Sequence, residues 1–478
     1  MTGAKAGAPS RVAVVGSGPN GLAAALVMAH AGFQTEVLEA QATLGGACRT
    51  LPLTLPGFRH DFGSAVHPLA AGSPFLRQLP LEKHGLRWLH HEAPLAHPLA
   101  DETAVVLERS LDSTVKDLGP DGAAWRRMVG PLVEHWDEMV PDLLQPLLRI
   151  PRHPLWLARF GLFAAQPARL LADTMFKTER ARALFAGLAA HSFLSLDAPF
   201  SAAVALVLGA AAHAVGWPIP EGGAGSITGA MASLLADWGG AVELNREVRS
   251  LDSLGGRYEA ITFFDTTPGQ MRRLAGDRFP ASYARKLARF RPGPAAFKVD
   301  YALSEPIPWT AAGCRRASTV HLGGTLGEIA RSERRMLRGE RTDDPYVLVA
   351  QPTLRDPTRA PADRHVAWAY CHVPHGSQVD AVEAIEAQME RFAPGFRECV
   401  LHRSVASPRT LEAGDANLQG GDISGGAMDI VQQLFRPTLR AYRTPDPLLF
   451  LCSSSTPPGA GVHGMCGYNA ANAALRRW

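Results

Sequence analysis

Three glycines spaced as GxGxxG follow an apolar run near the start of the chain, and this spacing is typical of a turn that binds the pyrophosphate of a dinucleotide. They are Gly16, Gly18 and Gly21, in the stretch VAVVGSGPNG that also holds Pro19 and Asn20. The first glycine permits a tight turn, the second lets phosphates approach the backbone, and the third lets a helix pack closely on the strand. Free N–H groups at the start of that helix attract anions. The motif therefore predicts a phosphate-binding turn.

The segments around the glycines have the order that a dinucleotide-binding βαβ unit requires. Residues 12–15 form a continuous apolar run, as expected of a strand buried on both faces of a parallel sheet. Residues 22–31 are rich in Ala and Leu, which favour a helix. A second strand, 35–38, is followed by Glu39 and Ala40, where a carboxylate can accept hydrogen bonds from an adenosine ribose. This order favours a bound dinucleotide over a glycine turn without a ligand.

Composition and charge are those of an ordinary globular protein. The 478 residues are 46% hydrophobic and 19% charged, which allows two or three domains, and a net charge of +3 gives no field suited to nucleic acid. The opening MTGAKAGAPS lacks the apolar core of a secretory signal. Six cysteines have neither CxxC spacing nor zinc-site neighbours, so we expect no metal site, free thiols and a cytoplasmic location. They are Cys48, Cys314, Cys371, Cys399, Cys452 and Cys466.

Two apolar stretches bear on membrane contact. Residues 200–216 are few for a span and are dominated by Ala with His213 among them, so a buried helix is favoured. In residues 140–177, Leu, Trp and Phe alternate with arginines, and such a segment can lie in a membrane interface as a peripheral contact. A core-facing helix with a solvated basic face is the alternative. Pro154 and Pro167 break any long helix there.

The residues after Glu39 indicate which dinucleotide is bound. LGGACRT contains Gly45, Gly46 and Arg49, and HDFGS contains Gly63 and Ser64. Both stretches resemble segments of the FAD enzymes of the phytoene desaturase and amine oxidase superfamily. The resemblance runs nearly end to end and implies FAD as the cofactor. It implies that the first three residues lie along the pyrophosphate and ribityl chain and the other two near the isoalloxazine.

The C-terminal stretch DPLLFLCSSSTPPGAGVHGMCGYNAANAAL combines an apolar strand, a Gly-rich turn and an Ala-rich helix. It resembles the last flavin-binding motif of the same superfamily. The resemblance implies that Ser454 lies near the pyrophosphate and that Gly464 and Met465 lie near the flavin ring. The segment around GWPIPEGGAGS also resembles the superfamily and implies that Val248 brackets the adenine. FAD would thus be held by both ends of the chain.

Catalytic residues are harder to predict than cofactor residues. Lys298, in AFKVDYALSEPIPW, resembles the strand lysine of amine oxidases that holds a water against flavin N5, where positive charge stabilises a reduced flavin. A surface strand lysine is the alternative. His463 is a second candidate, with a buried turn histidine as its alternative. Further residues expected to reach the cavity are His191 or His213 and, opposite the flavin, Met428 and Gln432.

Together these observations predict an α/β protein in which a Rossmann-type FAD-binding domain is interleaved with an α+β substrate domain. The FAD-binding domain takes residues 1–70, 217–290 and 415–478, and the substrate domain takes 71–216 and 291–414.

The resemblance implies that a hydride passes between a substrate carbon and flavin N5. The Leu/Phe/Trp-rich stretch within 140–177 favours a hydrophobic small-molecule substrate, such as a polyene, isoprenoid or acyl chain, for a desaturase, saturase or isomerase. An amine oxidase-like flavin oxidase and a non-catalytic FAD-containing binding or assembly protein are the alternatives. The oligomeric state stays open, with a homodimer as one option.

Overall fold

A computed structural model describes residues 10–254 and 260–477. The sequence predicts a turn at Gly255 and Gly256, which lie outside the described residues. The strands are β1 (Arg11–Val15), β2 (Gln34–Leu38), β3 (Thr50–Leu51), β4 (His60–Asp61), β5 (Trp88–Leu89), β6 (Ala93–Pro98), β7 (Ala104–Leu107), β8 (Ile219–Pro220), β9 (Ala241–Glu243), β10 (Ile261–Phe264), β11 (Ala295–Leu303), β12 (Ala317–Leu322), β13 (Val347–Ala350), β14 (His365–Val373), β15 (Val400–Ala406) and β16 (Leu449–Leu451).

The α-helices connect these strands and cover the two larger sheets. They are α1 (Pro19–His30), α2 (Pro68–Ala71), α3 (Leu111–Asp117), α4 (Gly122–Glu134), α5 (Trp136–Leu143), α6 (Pro154–Ala164), α7 (Ala168–Met175), α8 (Glu179–Ala190), α9 (Ser201–Ala214), α10 (Gly225–Asp237), α11 (Pro268–Ala275), α12 (Ala281–Ala288), α13 (Leu326–Leu337), α14 (Val382–Phe392), α15 (Phe396–Cys399), α16 (Pro408–Gly414), α17 (Ile430–Leu434) and α18 (Met465–Leu475).

The first sheet is the parallel sheet that the glycine motif predicts. Its strand order is β16-β10-β1-β2-β9, and every neighbouring pair is parallel. Side chains of β1 from Val12 to Val15 are buried, as expected of a central strand covered on both faces. The strands come from all three segments assigned to the FAD-binding domain. This topology confirms the Rossmann-type α/β fold, while the residue boundaries of the domains stay a prediction.

Close packing around the first turn explains its glycines. Gly16 has a φ of +101°, which side chains rarely adopt, and it turns the chain from β1 towards α1. A Cβ atom on Gly21 would lie 2.2 Å from the carbonyl oxygen of Gly16, so only glycine lets α1 approach the end of β1. Helix α18 packs on α1 just as closely, because a Cβ on Gly467 would lie 1.8 Å from the carbonyl oxygen of Asn20.

The second sheet has the order β15-β11-β14-β13-β12-β6-β7 and is antiparallel except where β6 pairs with β12. Its strands come from the two segments assigned to the substrate domain. Because side chains alternate between faces, Trp368 and Tyr370 of β14 share a face with Thr319 and His321 of β12. The opposite face packs over a core that contains Trp309. One face of this sheet is therefore available to line a cavity.

The predictions about the apolar stretches are confirmed in part. Helix α9 (Ser201–Ala214) is a largely buried helix, as its Ala-rich sequence predicts. Pro154 begins α6 and Pro167 precedes α7, so the prolines do divide the 140–177 segment. Among the helices of the described residues, none combines the length and the apolar character needed to cross a bilayer. The six cysteines are buried and free, as expected.

Candidate functional site

One cavity of about 760 Å³ joins the GSGPNG turn to the second sheet. This volume lies within the range of about 300–1,000 Å³ that is usual for ligand sites. We call the part formed by the parallel sheet the dinucleotide end; its lining includes Gly16, Gly18, Glu39, Gly46, Arg246, Val248, Asp265 and Asp415. We call the part under the second sheet the inner end; its lining includes His191, Leu208, Trp217, Thr319, Leu348, Trp368, Tyr370 and Leu418.

Glu39 organises the dinucleotide end. Its Oε2 accepts hydrogen bonds from the backbone N–H of Ser17 at 2.9 Å and from Ser17 Oγ at 2.7 Å, while Oε1 accepts from the backbone N–H of Gln41 at 2.9 Å. Ser17 Oγ in turn accepts from the backbone N–H of Gly45 at 2.9 Å. The acid at the end of β2 therefore ties the glycine motif to the Gly-Gly turn.

A second carboxyl group, Asp265, follows β10 and faces the glycine motif. Its Oδ2 accepts a hydrogen bond from the backbone N–H of Gly21 at 2.9 Å. Burial raises the pKa of Asp265 to about 8; the Gly21 bond lowers it, and the neighbouring Asp415 and Glu39 carboxylates raise it further. Asp265 is thus mostly protonated at neutral pH. It adds little negative charge beside a turn that would bind phosphates.

The residues at this end fit a dinucleotide. Gly18 leaves room at the turn, because a Cβ there would lie 2.6 Å from Asp265 Oδ2. Asn20, in the first turn of α1, also lines the cavity. A bound pyrophosphate beside the start of α1 would meet backbone N–H groups of the helix.

Most of the predicted cofactor residues line the cavity, and the others lie behind its wall. Those in the lining are Gly16, Gly18, Pro19, Asn20, Glu39, Ala40, Gly46, Gly63, Ser64, Val248 and Ser454. Those outside it are Gly21, Gly45, Arg49, Gly464 and Met465. Arg49 is turned aside, because its guanidinium donates to the carbonyl oxygen of Gly414 at 2.7 Å and lies over the ring of Phe62. Direct contact of these outer residues with a cofactor stays a prediction.

The two predicted catalytic residues are also outside the lining. Lys298 is buried and paired with Asp300, and its Nζ lies 5.9 Å from the ring centroid of Trp368, which does line the cavity. The surface alternative for Lys298 is therefore wrong. His463 is fully buried, and its Nδ1 accepts a hydrogen bond from the backbone N–H of Met465 at the start of α18. This contact matches the buried turn histidine, and a catalytic role for either residue stays a prediction.

Of the other residues expected at the cavity, only His191 lines it. His213 instead accepts a hydrogen bond from Trp125 Nε1 at 3.0 Å, away from the cavity. The expected inward orientation of Met428 and Gln432 is wrong. Gln432 bonds the backbone of Arg291 with both ends of its amide, and Met428 Sδ lies 3.0 Å from the side-chain nitrogen of Gln433.

Buried histidines stand behind the inner end. His191 Nε2 lies 3.0 Å from His321 Nε2, and His97 Nε2 donates to the carbonyl oxygen of Gly324 at 2.7 Å. A Cβ on Gly187, in the middle of α8, would lie 2.7 Å from His321 Nδ1 and 3.2 Å from His97 Nδ1. Burial lowers the pKa of His191 to about 3, so its ring is neutral. The cavity wall here is polar but uncharged.

Several residues at the site escaped the sequence analysis. Asp265 carried a signal, since an acid directly after the apolar run ITFF marks the carboxyl end of a parallel strand, where ligands bind. The residues of the inner end carried no such signal in the sequence. Thr319, Trp368 and Tyr370 belong to strands that are distant in sequence and meet only through the register of the second sheet.

Comparison with known proteins agrees with this geometry. The model of a family described as NAD(P)-binding Rossmann-like domain matches residues 14–79. Pyridine nucleotide-disulfide oxidoreductase domain-containing protein 2 of Mus musculus is 26% identical, over 97% of this chain and 93% of its own length. The lycopene-forming phytoene desaturase of Pseudescherichia vulneris is 24% identical, over 97% of this chain and 98% of its own. The chain is an oxidoreductase that is similar to the phytoene desaturases over almost its whole length.

These relatives confirm the resemblance carried by the sequence motifs. A solved structure of putrescine oxidase shares the fold, with a TM-score of 0.60 and 18% identity over 98% of this chain and 99% of that one. The matched Rossmann-like segment, residues 14–79, contains α1 and β2 beside the parallel sheet's central strand. The comparisons identify the class of chemistry as redox but name neither the substrate nor the reaction.

Proposed function

We propose that the protein binds FAD and passes a hydride between an apolar chain, such as a polyene, isoprenoid or acyl chain, and the flavin, as a desaturase, saturase or isomerase. The observation that carries the proposal is the continuity of the cavity. The same cavity is lined by the GSGPNG turn at one end and by Trp217, Leu348 and Trp368 at the other. A cofactor at the dinucleotide end would thus meet a substrate held among apolar and aromatic side chains.

The residues of this chain have separable tasks under the proposal. Glu39 and Ser17 hold the turn that would receive the cofactor's phosphates, while Gly63 and Ser64 line the same cavity. A bound flavin supplies two-electron transfer in the form of a hydride. The apolar inner wall orients the substrate chain and excludes water from the reacting carbon.

The relatives support an apolar substrate over an amine. Among them are desaturases that are named for phytoene and hydroxyneurosporene. An amine oxidase would need to bind a cation, yet the lining of the inner end, within the described residues, includes no carboxylate. The continuous cavity also argues against a non-catalytic flavin protein, because in such a protein we would expect side chains to fill the space beside the flavin.

Anaerobic reduction tests this function. The purified protein is expected to carry FAD, identified by mass spectrometry after extraction. An apolar lipid extract should bleach its visible absorption in the absence of oxygen, because the inner end accepts apolar chains. Putrescine and other small amines should leave the absorption unchanged. Bleaching by amines alone would instead assign the protein to the amine oxidases, and a lack of bound flavin would refute the cofactor.

We further propose that the segment within 140–177 makes peripheral contact with a membrane. An apolar substrate would then enter the cavity from that membrane. The apolar side chains that the structure leaves exposed there are Leu147, Leu148, Ile150, Leu155, Leu162 and Leu170. Arg149, Arg152 and Arg159 lie between them in sequence and suit anionic headgroups. Isolated exposed apolar side chains need no explanation, whereas a group of six in 24 residues does.

Replacing Ile150, Leu155 and Leu162 together by serine should reduce sedimentation with vesicles of phosphatidylcholine and phosphatidylglycerol by at least about tenfold, because each loses buried apolar area in the bilayer. A matched control replaces Leu337 and Leu401, which are exposed elsewhere, and should sediment like the parent. Analytical ultracentrifugation without lipid tests the alternative that these exposed side chains form a homodimer interface. If the triple variant converts a dimer into a monomer, the surface is a homodimer interface.

A further inference from the structure

The inner end of the cavity presents polar atoms that lack a hydrogen bond. Thr319 Oγ1 and Trp368 Nε1 have no partner within the described part of the chain, although the residues are only 1% and 8% exposed and both line the cavity. A buried polar atom without a partner destabilises a protein, and most such atoms in proteins are bonded. Two of them on one cavity wall therefore indicate a ligand that supplies their partner.

His191 and Tyr370 add polar groups to the same wall. The Nε2 atom of His191 is engaged by His321 at 3.0 Å, so Nδ1 is the ring nitrogen left for a ligand. Tyr370 lines the cavity and lies beside Trp368, with ring centroids 5.0 Å apart. The register of the second sheet holds these residues, since Tyr370 pairs with Leu348 of β13, which pairs in turn with His321. Thr319, Trp368 and Tyr370 stand on strands, whereas His191 caps the C-terminal end of α8.

The lining of the inner end, within the described residues, contains no charged side chain that could pair with a charged ligand. The charged residues in the lining all belong to the dinucleotide end: Glu39, Arg246, Glu247, Arg249, Asp265, Arg273 and Asp415. Lys298, near the Trp368 ring, is paired with Asp300. A carboxylate or an ammonium group would therefore be buried at the inner end without an opposite charge, which is strongly unfavourable. A pure hydrocarbon would leave the Thr319 and Trp368 atoms unpaired.

We propose that the inner end binds a neutral oxygen-bearing group, a hydroxyl or a carbonyl, attached to the apolar chain of the substrate. That the substrate has an apolar chain rests on the function proposed above, whereas the oxygen-bearing group is new here. An oxygen atom has lone pairs for the Trp368 N–H and the Thr319 hydroxyl, and a hydroxyl group can also donate to His191 Nδ1 or accept from it, according to the tautomer of the ring. The substrate class is thus an alcohol or a ketone, aldehyde or ester with a long apolar chain.

Five six-carbon probes separate the possibilities by isothermal titration calorimetry on the FAD-loaded protein. Hexan-1-ol and hexan-2-one should bind at least about tenfold more tightly than hexane, hexanoate or hexylamine. If hexane binds as tightly as hexan-1-ol, the polar site is refuted while the apolar function stands. If hexanoate or hexylamine binds most tightly, the neutral group is refuted. If none of the five binds, the inference fails together with the proposed apolar substrate.

Thr319→Val tests the site with almost no change of shape. The variant removes a hydroxyl that has no partner in the protein, so the fold should be retained, as circular dichroism and FAD content can check. Its affinity for hexan-1-ol should fall about fivefold to tenfold, while its affinity for hexane should not fall.

Ser318→Ala is the matched control. Ser318 precedes Thr319 on β12 and also has an unpartnered, buried hydroxyl, but it faces away from the cavity on the other side of the sheet. Its affinities for both probes should stay within about twofold of the parent. An unchanged ratio of hexan-1-ol to hexane affinity in Thr319→Val would overturn the proposal.

Discussion

Replacing Gly21 by alanine is expected to destabilise the protein by about 3 kcal/mol or more and to abolish cofactor binding. The new Cβ would lie 2.2 Å from the carbonyl oxygen of Gly16 and 3.0 Å from Asp265 Oδ2. A backbone oxygen cannot rotate away as a side chain can, so α1 itself must shift from the end of β1. Urea unfolding followed by circular dichroism, with FAD content measured in parallel, tests the expectation.

Gly229→Ala provides the matched control for this substitution. Gly229 also lies within a helix, α10, but a Cβ there would meet nothing within 4 Å. Alanine should therefore stabilise the protein by about 0.5–1 kcal/mol, through its higher helix propensity. If both variants changed the free energy of unfolding by similar amounts, close packing at Gly21 would not be the reason for the glycine.

The second large effect concerns pH and Asp265. Its pKa is raised from 3.8 to about 8 in the folded protein, so the folded state keeps a proton that the unfolded state releases above pH 4. The free energy of unfolding therefore falls as the pH rises from about 4 to about 8. Asp265→Asn retains an acceptor for the Gly21 N–H without the ionisation. Relative to the parent, the variant should gain on the order of 5 kcal/mol by pH 7.5 and less than about 1 kcal/mol at pH 4.

Thermal unfolding of both proteins across pH 4 to 8 measures this difference. A gain that does not grow with pH would contradict the raised pKa. Asp422→Asn is a control of opposite sign, because Asp422 uses both oxygens as acceptors: Oδ2 for the backbone N–H of Gly293 and Oδ1 for the N–H and hydroxyl of Ser424. An amide there turns an N–H donor towards another donor. That variant should lose stability at pH 7.

The sequence predicts the dinucleotide end well because its signals are local. The order of strand, turn, helix, strand and acid lies within some thirty residues, and β1, α1 and β2 form where that order places them. The prediction from local sequence was wrong at Met428 and Gln432. No residue near them in the sequence indicates that the backbone of Arg291 would bind the glutamine amide. Arg49 likewise follows its motif, yet Gly414, far along the chain, binds its guanidinium.

The inner end could not be predicted, because its residues are ordinary in sequence. Thr319 and Trp368 look like any half-buried strand residues until the register of β12, β13 and β14 brings them to one wall. Gly187 shows the same limit. Nothing in its Ala-rich helix explains the glycine, whereas in the fold His97 and His321 lie so close that they leave no room for a Cβ atom. Burial and pairing between distant strands determine this part of the site, and neither has a local signature.

The parallel sheet also constrains how the protein can be made. Strand β16 pairs with β10, and α18 packs on α1, so residues 449–475 complete a sheet and its helical cover whose first strand begins at Arg11. During synthesis, β10 must therefore keep an unpaired edge while β11 to β15 of the second sheet are translated, and such edges favour aggregation. Among the described elements, the parallel sheet begins first and is completed last. Its assembly during translation thus depends on the emergence of β16 and α18 from the ribosome.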